Sequence, residues 1–206
     1  MDFADAVNQR GSIKTYDPDH EITDAELIEL FELTTRSPSS YNLQHWRFIV
    51  LREPEIREEV QAASWGQKQV TECSVCVVVT AKLAAHDDAA RIYASAPQAV
   101  QDKLVPMIGG FYAMNDQLQR DEAIRSASLA SMTLMHAATS MGLATCPMIG
   151  FDPKKVSALV GLDNDVHIPV MLITLGKQRG DKPYRTERLP LSDVVTFDHI
   201  DGPPLG

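Results

Sequence analysis

The sequence predicts an α+β fold, and three observations carry that reading. Helical patterns stand before and between the β-rich runs without the regular βαβ alternation of a doubly wound sheet. The runs themselves are short, and the most apolar of them, Ile168-Pro169-Val170-Met171-Leu172-Ile173-Thr174-Leu175, reads as a central strand. The 206 residues suffice for one domain with a sizeable core, and no Pro/Gly/Ser-rich linker divides them.

Residues 2–9 read as a short helix with Phe3, Ala6 and Val7 on one face, and Arg10–Tyr16 then reads as extended chain. Thr23-Asp24-Ala25-Glu26 is a capping box. Leu27, Ile28, Leu30, Phe31 and Thr34 continue it with helical spacing. Pro38 disfavours helical geometry at Ser37, so this helix should stop near Arg36. The loop Pro38–Asn42 leads into a strand over Trp46–Leu51, with Trp46 expected in the core. A helix over about 54–63 and a strand over Ser74–Thr80 follow. Residues 87–118 read as a helical excursion broken around Pro97, Pro106 and Gly109-Gly110. Residues 121–141 form a long Ala-, Ser- and Met-rich helix, apolar around most of its girdle and closed by Gly142. His136 on that helix reads as a satisfied core histidine. After a strand over Ala144–Ile149, Asp152-Pro153 caps a short helix ending at Gly161, and the tail from Gly176 reads as polar and extended.

Composition excludes several classes. The net charge of −9 argues against nucleic-acid binding, which needs basic patches. No run of about 18 apolar residues predicts a membrane span, and the first residues lack a signal-peptide pattern, so a cytoplasmic protein is expected. The odd number of cysteines, Cys73, Cys76 and Cys146, argues against a disulfide framework. Cys73-Ser74-Val75-Cys76 runs into a strand, where positions three apart face opposite sides, and it reads as core rather than redox or zinc chemistry. The dispersed histidines give no metal spacing, and no Gly-x-Gly-x-x-Gly follows a strand.

Against the acidic background, basic residues grouped in short segments stand out. Arg10, Ser12 and Lys14 occupy alternate positions, so an extended chain presents all three on one face with five or more donors for a phosphate. Pro38-Ser39-Ser40-Tyr41-Asn42 and the segment Arg185–Pro190 are the other two candidates. Together the three read as a site for flavin mononucleotide.

In their order along the chain these segments resemble the FMN-dependent nitroreductase family. The family's Arg-x-Ser-x-Arg/Lys start corresponds to Arg10, Ser12 and Lys14, with Gly11 where a second Arg is common. Its Pro-Ser-Ser-x-Asn-x-Gln-Pro-Trp corresponds to Pro38 through Trp46, with His45 in place of Pro. Gln67-Lys68-Gln69, Gly142-Leu143, Pro147-Met148-Ile149-Gly150-Phe151-Asp152 and Arg188-Leu189-Pro190 complete the match over nearly the whole chain.

The resemblance implies a sandwich of helices about a mixed or antiparallel sheet, in a homodimer with two FMN sites at the interface. Arg10, Gly11, Ser12, Lys14, Arg185 and Arg188 would hold the phosphate and ribityl end. Pro38, Ser39, Ser40 and Asn42 would reach the flavin from the other subunit. Gln67 and Gln69 would bond the ribityl chain or pyrimidine edge, and Pro147, Met148, Ile149 and Gly150 would lie along the isoalloxazine. Phe111 and Tyr112 would line the substrate channel. No side chain is expected to be catalytic, because the flavin carries the chemistry. NAD(P)H would reduce it, and a nitroaromatic, quinone or related small acceptor would reoxidise it by a ping-pong cycle. Other flavin chemistry on the same fold (dehalogenation, enone reduction, dehydrogenation) and non-catalytic flavin binding are the competing readings.

Overall fold

The computed structural model describes residues 1–206. Its helices are α1 (Phe3–Gln9), α2 (Asp24–Thr34), α3 (Pro54–Ala63), α4 (Gln69–Glu72), α5 (Ala89–Ile92), α6 (Gln98–Tyr112), α7 (Asp116–Ser140), α8 (Pro153–Leu159) and α9 (Leu191–Val194). The strands β1 (Trp46–Leu51), β2 (Val75–Lys82), β3 (Ala144–Met148) and β4 (His167–Gly176) form one antiparallel sheet in the order β1-β2-β4-β3. The expected α+β class holds, and the apolar run Ile168–Leu175 lies inside the sheet between β2 and β3.

Alternation along β2 explains the layering. Val75, Val77, Val79 and Ala81 pack into a core with Leu30, Trp46, Leu134, Ile173 and Leu175, beneath α2 and α7. Cys76 and Val78 point the other way, into a second core with Val60, Val70, Met148, Val156 and Leu172. A strand covered on both faces reads as a near-continuous apolar run, and β2 is buried from Val75 to Ala81 with Thr80 its one polar residue there. The small residues of α7, among them Ala123, Ala127, Ala130 and Ala138, are fully buried and let neighbouring backbones approach. A third cluster ties the excursion down: Ile108 and Tyr112 of α6 pack with Ala85, Ala89 and Leu43.

Several boundaries differ from expectation, each for a local reason. The α2 capping box forms as expected, with Thr23 and Glu26 bonded reciprocally, but the helix ends at Thr34, whose hydroxyl turns back to the Leu30 carbonyl. Ile28 is exposed, as are Phe3 and Val7 of α1. Of the three expected breaks only Pro97 is one, as the N-cap of α6; Pro106 and Gly109-Gly110 sit inside one continuous helix anchored by Ile108 and Tyr112, and the chain breaks again only between Tyr112 and Asp116. The long helix begins at Asp116, because the Asn115 side chain accepts from the Leu118 N–H. It ends as expected, Gly142 taking φ +77°.

Cys73 lies at the C-cap of α4, ahead of β2, so Cys73 and Cys76 share one layer with Cys146 instead of facing opposite sides. All are free thiols, and burial pushes Cys73 up to about 11. The tail is not uniformly polar: it carries α9 and exposes Leu189, Leu191, Val194, Phe197 and Ile200.

Two anchors place the extended Arg10–Tyr16 segment beside β3. Ser12 bridges Thr145 in parallel, and the Ile13 N–H donates to the Thr145 carbonyl at 2.9 Å. Tyr16 is fully buried, its hydroxyl 2.7 Å from Thr174 Oγ1 of β4. Ile13 is buried while Ser12 and Lys14 are exposed, as period-two geometry requires.

Candidate functional site

β3 organises two clusters of candidate residues, one at each end. At its start, Arg10, Gly11, Ser12 and Lys14 line a cavity of about 500 Å³ together with Lys182, Arg185 and Arg188 of the tail. Five cations against one lining carboxylate, Asp181, make this an anion site. Arg10 is half-buried, and burial and then the neighbouring Arg185 and Arg188 guanidiniums hold its pKa below the ordinary arginine value. Arg185 donates to the Asn8 carbonyl and Arg188 to the Thr186 carbonyl. The remaining guanidinium N–H groups are available for a phosphate.

A smaller cavity of about 160 Å³ adjoins Arg10 and is lined by Thr145, Lys177 and Lys182 among others. The Thr145 hydroxyl is buried there without a protein partner. An unpartnered hydroxyl beside an excess of cations suits a polyanionic group that supplies the missing hydrogen bond. The phosphate and ribityl end of FMN fits this chemistry.

At the other end of β3 the residues are interlocked. Gln67 Nε2 donates to the Gly150 carbonyl at 2.8 Å, and Gln69 Nε2 donates to Gln67 Oε1 at 3.0 Å. The Gln69 amide also lies 3.6 Å from Met148 Sδ. Gln69 and Met148 are both buried beneath this segment. Pro147 is half-buried, Ile149 is fully turned out, and Gly150 lies under the Trp65 ring. A Cβ at Gly150 would meet Trp65 Cζ3 at 3.0 Å and Gln67 Nε2 at 3.1 Å, so any larger residue must shift these two side chains. Thr145 and Ile149 stand four residues apart on extended chain, about 13 Å.

The loop Pro38–Asn42 lines neither of these cavities. Its backbone is unusual: Tyr41, Asn42 and Gln44 all have φ near +50°. Ser39 Oγ accepts from the Gln44 N–H, and Ser40 Oγ pairs with the Tyr112 hydroxyl at 2.7 Å. Pro38 and Asn42 are exposed. Phe111 and Tyr112 meet edge-on, with ring centroids 5.0 Å apart, but differ in burial. Phe111 is exposed and meets Tyr41 edge-on, whereas Tyr112 is buried, stacks on His86 and shapes the loop through Ser40. Of the two residues expected at a substrate channel, Phe111 is the one whose ring is exposed.

His45, which replaces the proline of the motif, is buried with Nδ1 unpartnered. Burial pushes its pKa down to about 4, against the opposing pull of Glu122. His136 is not the satisfied core histidine expected; its Nδ1 lacks a partner and its ring packs on Phe3.

With this geometry in place, similarity to known proteins decides the family. The model of the Nitroreductase family matches residues 7–177. The chain belongs to the nitroreductase family. Protein DrgA of Synechocystis is 41% identical over 97% of this chain and 98% of its own. YodC of Bacillus subtilis, assigned as an NAD(P)H nitroreductase, is 37% identical over 94% of this chain and 97% of its own. A crystal structure from Exiguobacterium sibiricum, assigned as a nitroreductase and solved in complex with FMN, superposes with a TM-score of 0.90. Its sequence is 32% identical, over 96% of this chain and 98% of that one.

The nitroreductase match stops at Lys177, so Lys182, Arg185 and Arg188 join the site through their shared cavity. Sequence reasoning missed Lys182, Thr145 and Trp65. Lys182 stands three residues before Arg185, a signal that tail charge alone offered. The Thr145 hydroxyl and the Trp65 ring gave no signal, since nothing in a strand or a post-helical turn says which way they face.

Proposed function

We propose that this nitroreductase family member is an FMN-dependent oxidoreductase that accepts electrons from NADH or NADPH and delivers them to a nitroaromatic, quinone or related small acceptor. The observation that carries this reading is the convergence of Arg10, Ser12, Lys14, Arg185 and Arg188 on one cavity at the start of β3. When bound, the flavin supplies hydride and electron transfer. The cationic end fixes its phosphate, and the interlocked glutamines hold the Ile149–Gly150 backbone rigid beside the ring. Fixed amide dipoles aimed where negative charge develops stabilise it without reorganisation. Donor and acceptor take turns at one ring face, which makes the cycle ping-pong.

The working unit in this reading is a homodimer, acting in the cytoplasm as a single-domain subunit without nucleic-acid or membrane partners. Two features support a second copy as partner. Phe3, Leu33, Leu129 and Met132 form an apolar groove of about 500 Å³ across α1, α2 and α7, with the unpartnered His136 in its wall. The tail exposes Leu189, Leu191, Val194, Phe197 and Ile200, a row too apolar to be left in water. Pro38, Ser39, Ser40 and Asn42 then serve the partner's flavin, consistent with their lining neither cationic cavity of their own chain. No helix is long and apolar enough to cross a membrane.

The test is an anaerobic absorbance spectrum of the protein with FMN, before and after NADH or NADPH. Flavin bands that bleach on addition support the reading. Bands that persist remove the nicotinamide step, and failure to bind FMN removes the reading altogether.

A further inference from the structure

Trp65 is the residue near the site that neither packing nor cofactor binding explains. It follows α3 in a turn tied down by Gly66 N–H to Gln61 carbonyl (2.9 Å) and Gln67 N–H to Ser64 carbonyl (3.2 Å). Its φ is +54°, followed by +73° at Gly66. Glycine takes that region freely, but a bulky side chain adopts it only where the surroundings impose it. The result is a side chain 73% exposed, in a chain whose other tryptophan, Trp46, is 4% exposed. An isolated apolar side chain in water needs no explanation. One held out by a strained backbone, with a fixed contact, does.

That contact is Gly150. The absence of a side chain there lets the six-membered edge of the indole close over the backbone that ends β3. Ile149, 83% exposed, stands beside it. The Gln67 amide, bonded to the Gly150 carbonyl, lies near the same spot. Two largely exposed apolar side chains, Trp65 and Ile149, thus stand next to a backbone segment fixed by the Gln67 amide.

We propose that Trp65 is an acceptor-binding residue: its exposed indole stacks on the flat, electron-poor ring of an aromatic acceptor and selects such acceptors over non-planar ones. The electron-rich indole favours offset stacking on an electron-poor ring. A dihydronicotinamide ring is neither aromatic nor electron-poor, so the indole discriminates acceptor from donor. This rests on the proposed placement of the flavin ring along Ile149 and Gly150, and the two ideas fail separately.

The experiment compares FMN-loaded wild type, Trp65→Phe and Trp65→Ala with NADH, using a naphthoquinone, a nitrobenzene derivative and ferricyanide as acceptors. Trp65→Ala should raise KM for both flat acceptors about tenfold, and Trp65→Phe should recover most of the loss. The ferricyanide rate, the NADH KM, the FMN dissociation constant and the oligomeric state should stay within about twofold. Unchanged KM for the flat acceptors overturns the proposal. So does a matching loss in FMN affinity or assembly, which would make Trp65 a flavin or interface residue. Wild type that does not bind FMN overturns the placement beneath it.

Discussion

The two ends of β3 are built on different physics. The start gathers Arg10, Lys14, Lys182, Arg185 and Arg188 around open space, all but the half-buried Arg10 exposed and held by few internal bonds. The far end is a closed set of hydrogen bonds, Gln69 to Gln67 to Gly150, resting on buried Met148. An anion at the first end would draw affinity from charge and would have to order the side chains around it; at the second end they are already ordered. Charge can therefore be read along a chain, whereas preorganisation can be read only in three dimensions.

The largest effect expected near the site is one that neither end produces. Arginines and amides do not titrate between pH 4 and 7, so acid sensitivity should come from buried histidines. His45 is held at about 4, below its unfolded value of about 6.5. The depressed value means that stability is fully present above pH 6.5 and falls as pH drops toward 4. The loss is roughly 3 kcal/mol. Glu122, Arg47 and His86 are the charged and titratable neighbours that set this value. Denaturant titrations of wild type and His45→Gln across that window should show a flatter profile in the variant. Parallel profiles would mean that His45 is neutral for acid stability.

The charged end comes next. Arg10→Ala and Arg188→Ala should each weaken FMN binding by about 1.5–3 kcal/mol, the range for hydrogen bonds to a charged group. Raised salt should weaken wild-type binding in the same direction. An unchanged FMN dissociation constant in either variant removes that arginine from the site.

A smaller effect is expected at the closed end. Gln67→Leu frees the Gly150 carbonyl and should weaken FMN binding by about 1 kcal/mol, with the salt dependence of wild type retained. Should the variant lose salt dependence instead, the two ends are not separable and the comparison fails. The smallest is Gly150→Ala, whose Cβ must push the Trp65 ring and the Gln67 amide by a few tenths of an ångström. It should leave FMN affinity nearly unchanged while raising KM for flat acceptors.

Much of the fold was legible because its signals are local. The Thr23–Glu26 box, the Asp152-Pro153 cap and the Gly142 C-cap act within one helical turn, and all formed as read. Where the reading slipped, tertiary contacts outweighed local preference. Pro106 remains inside α6 because Ile108 and Tyr112 are buried against Ala85, Ala89 and Leu43. Cys73 and Cys76 share a layer because β2 begins only after Cys73, a boundary that hydrogen bonding set.

The candidate site divides along the same line. By itself the sequence determined the four strands and the longer helices, the acidic background and the alternating Arg10, Ser12 and Lys14, since these signals are carried by neighbouring residues. Tertiary structure alone decided that Arg185 and Arg188, more than 170 residues away in the chain, share the cavity of Arg10. It also turned Tyr112 inward onto Ser40, left the Thr145 hydroxyl without a partner and stood Trp65 over Gly150. Each of these depends on which surfaces meet when layers pack, and that is a property of the whole chain at once.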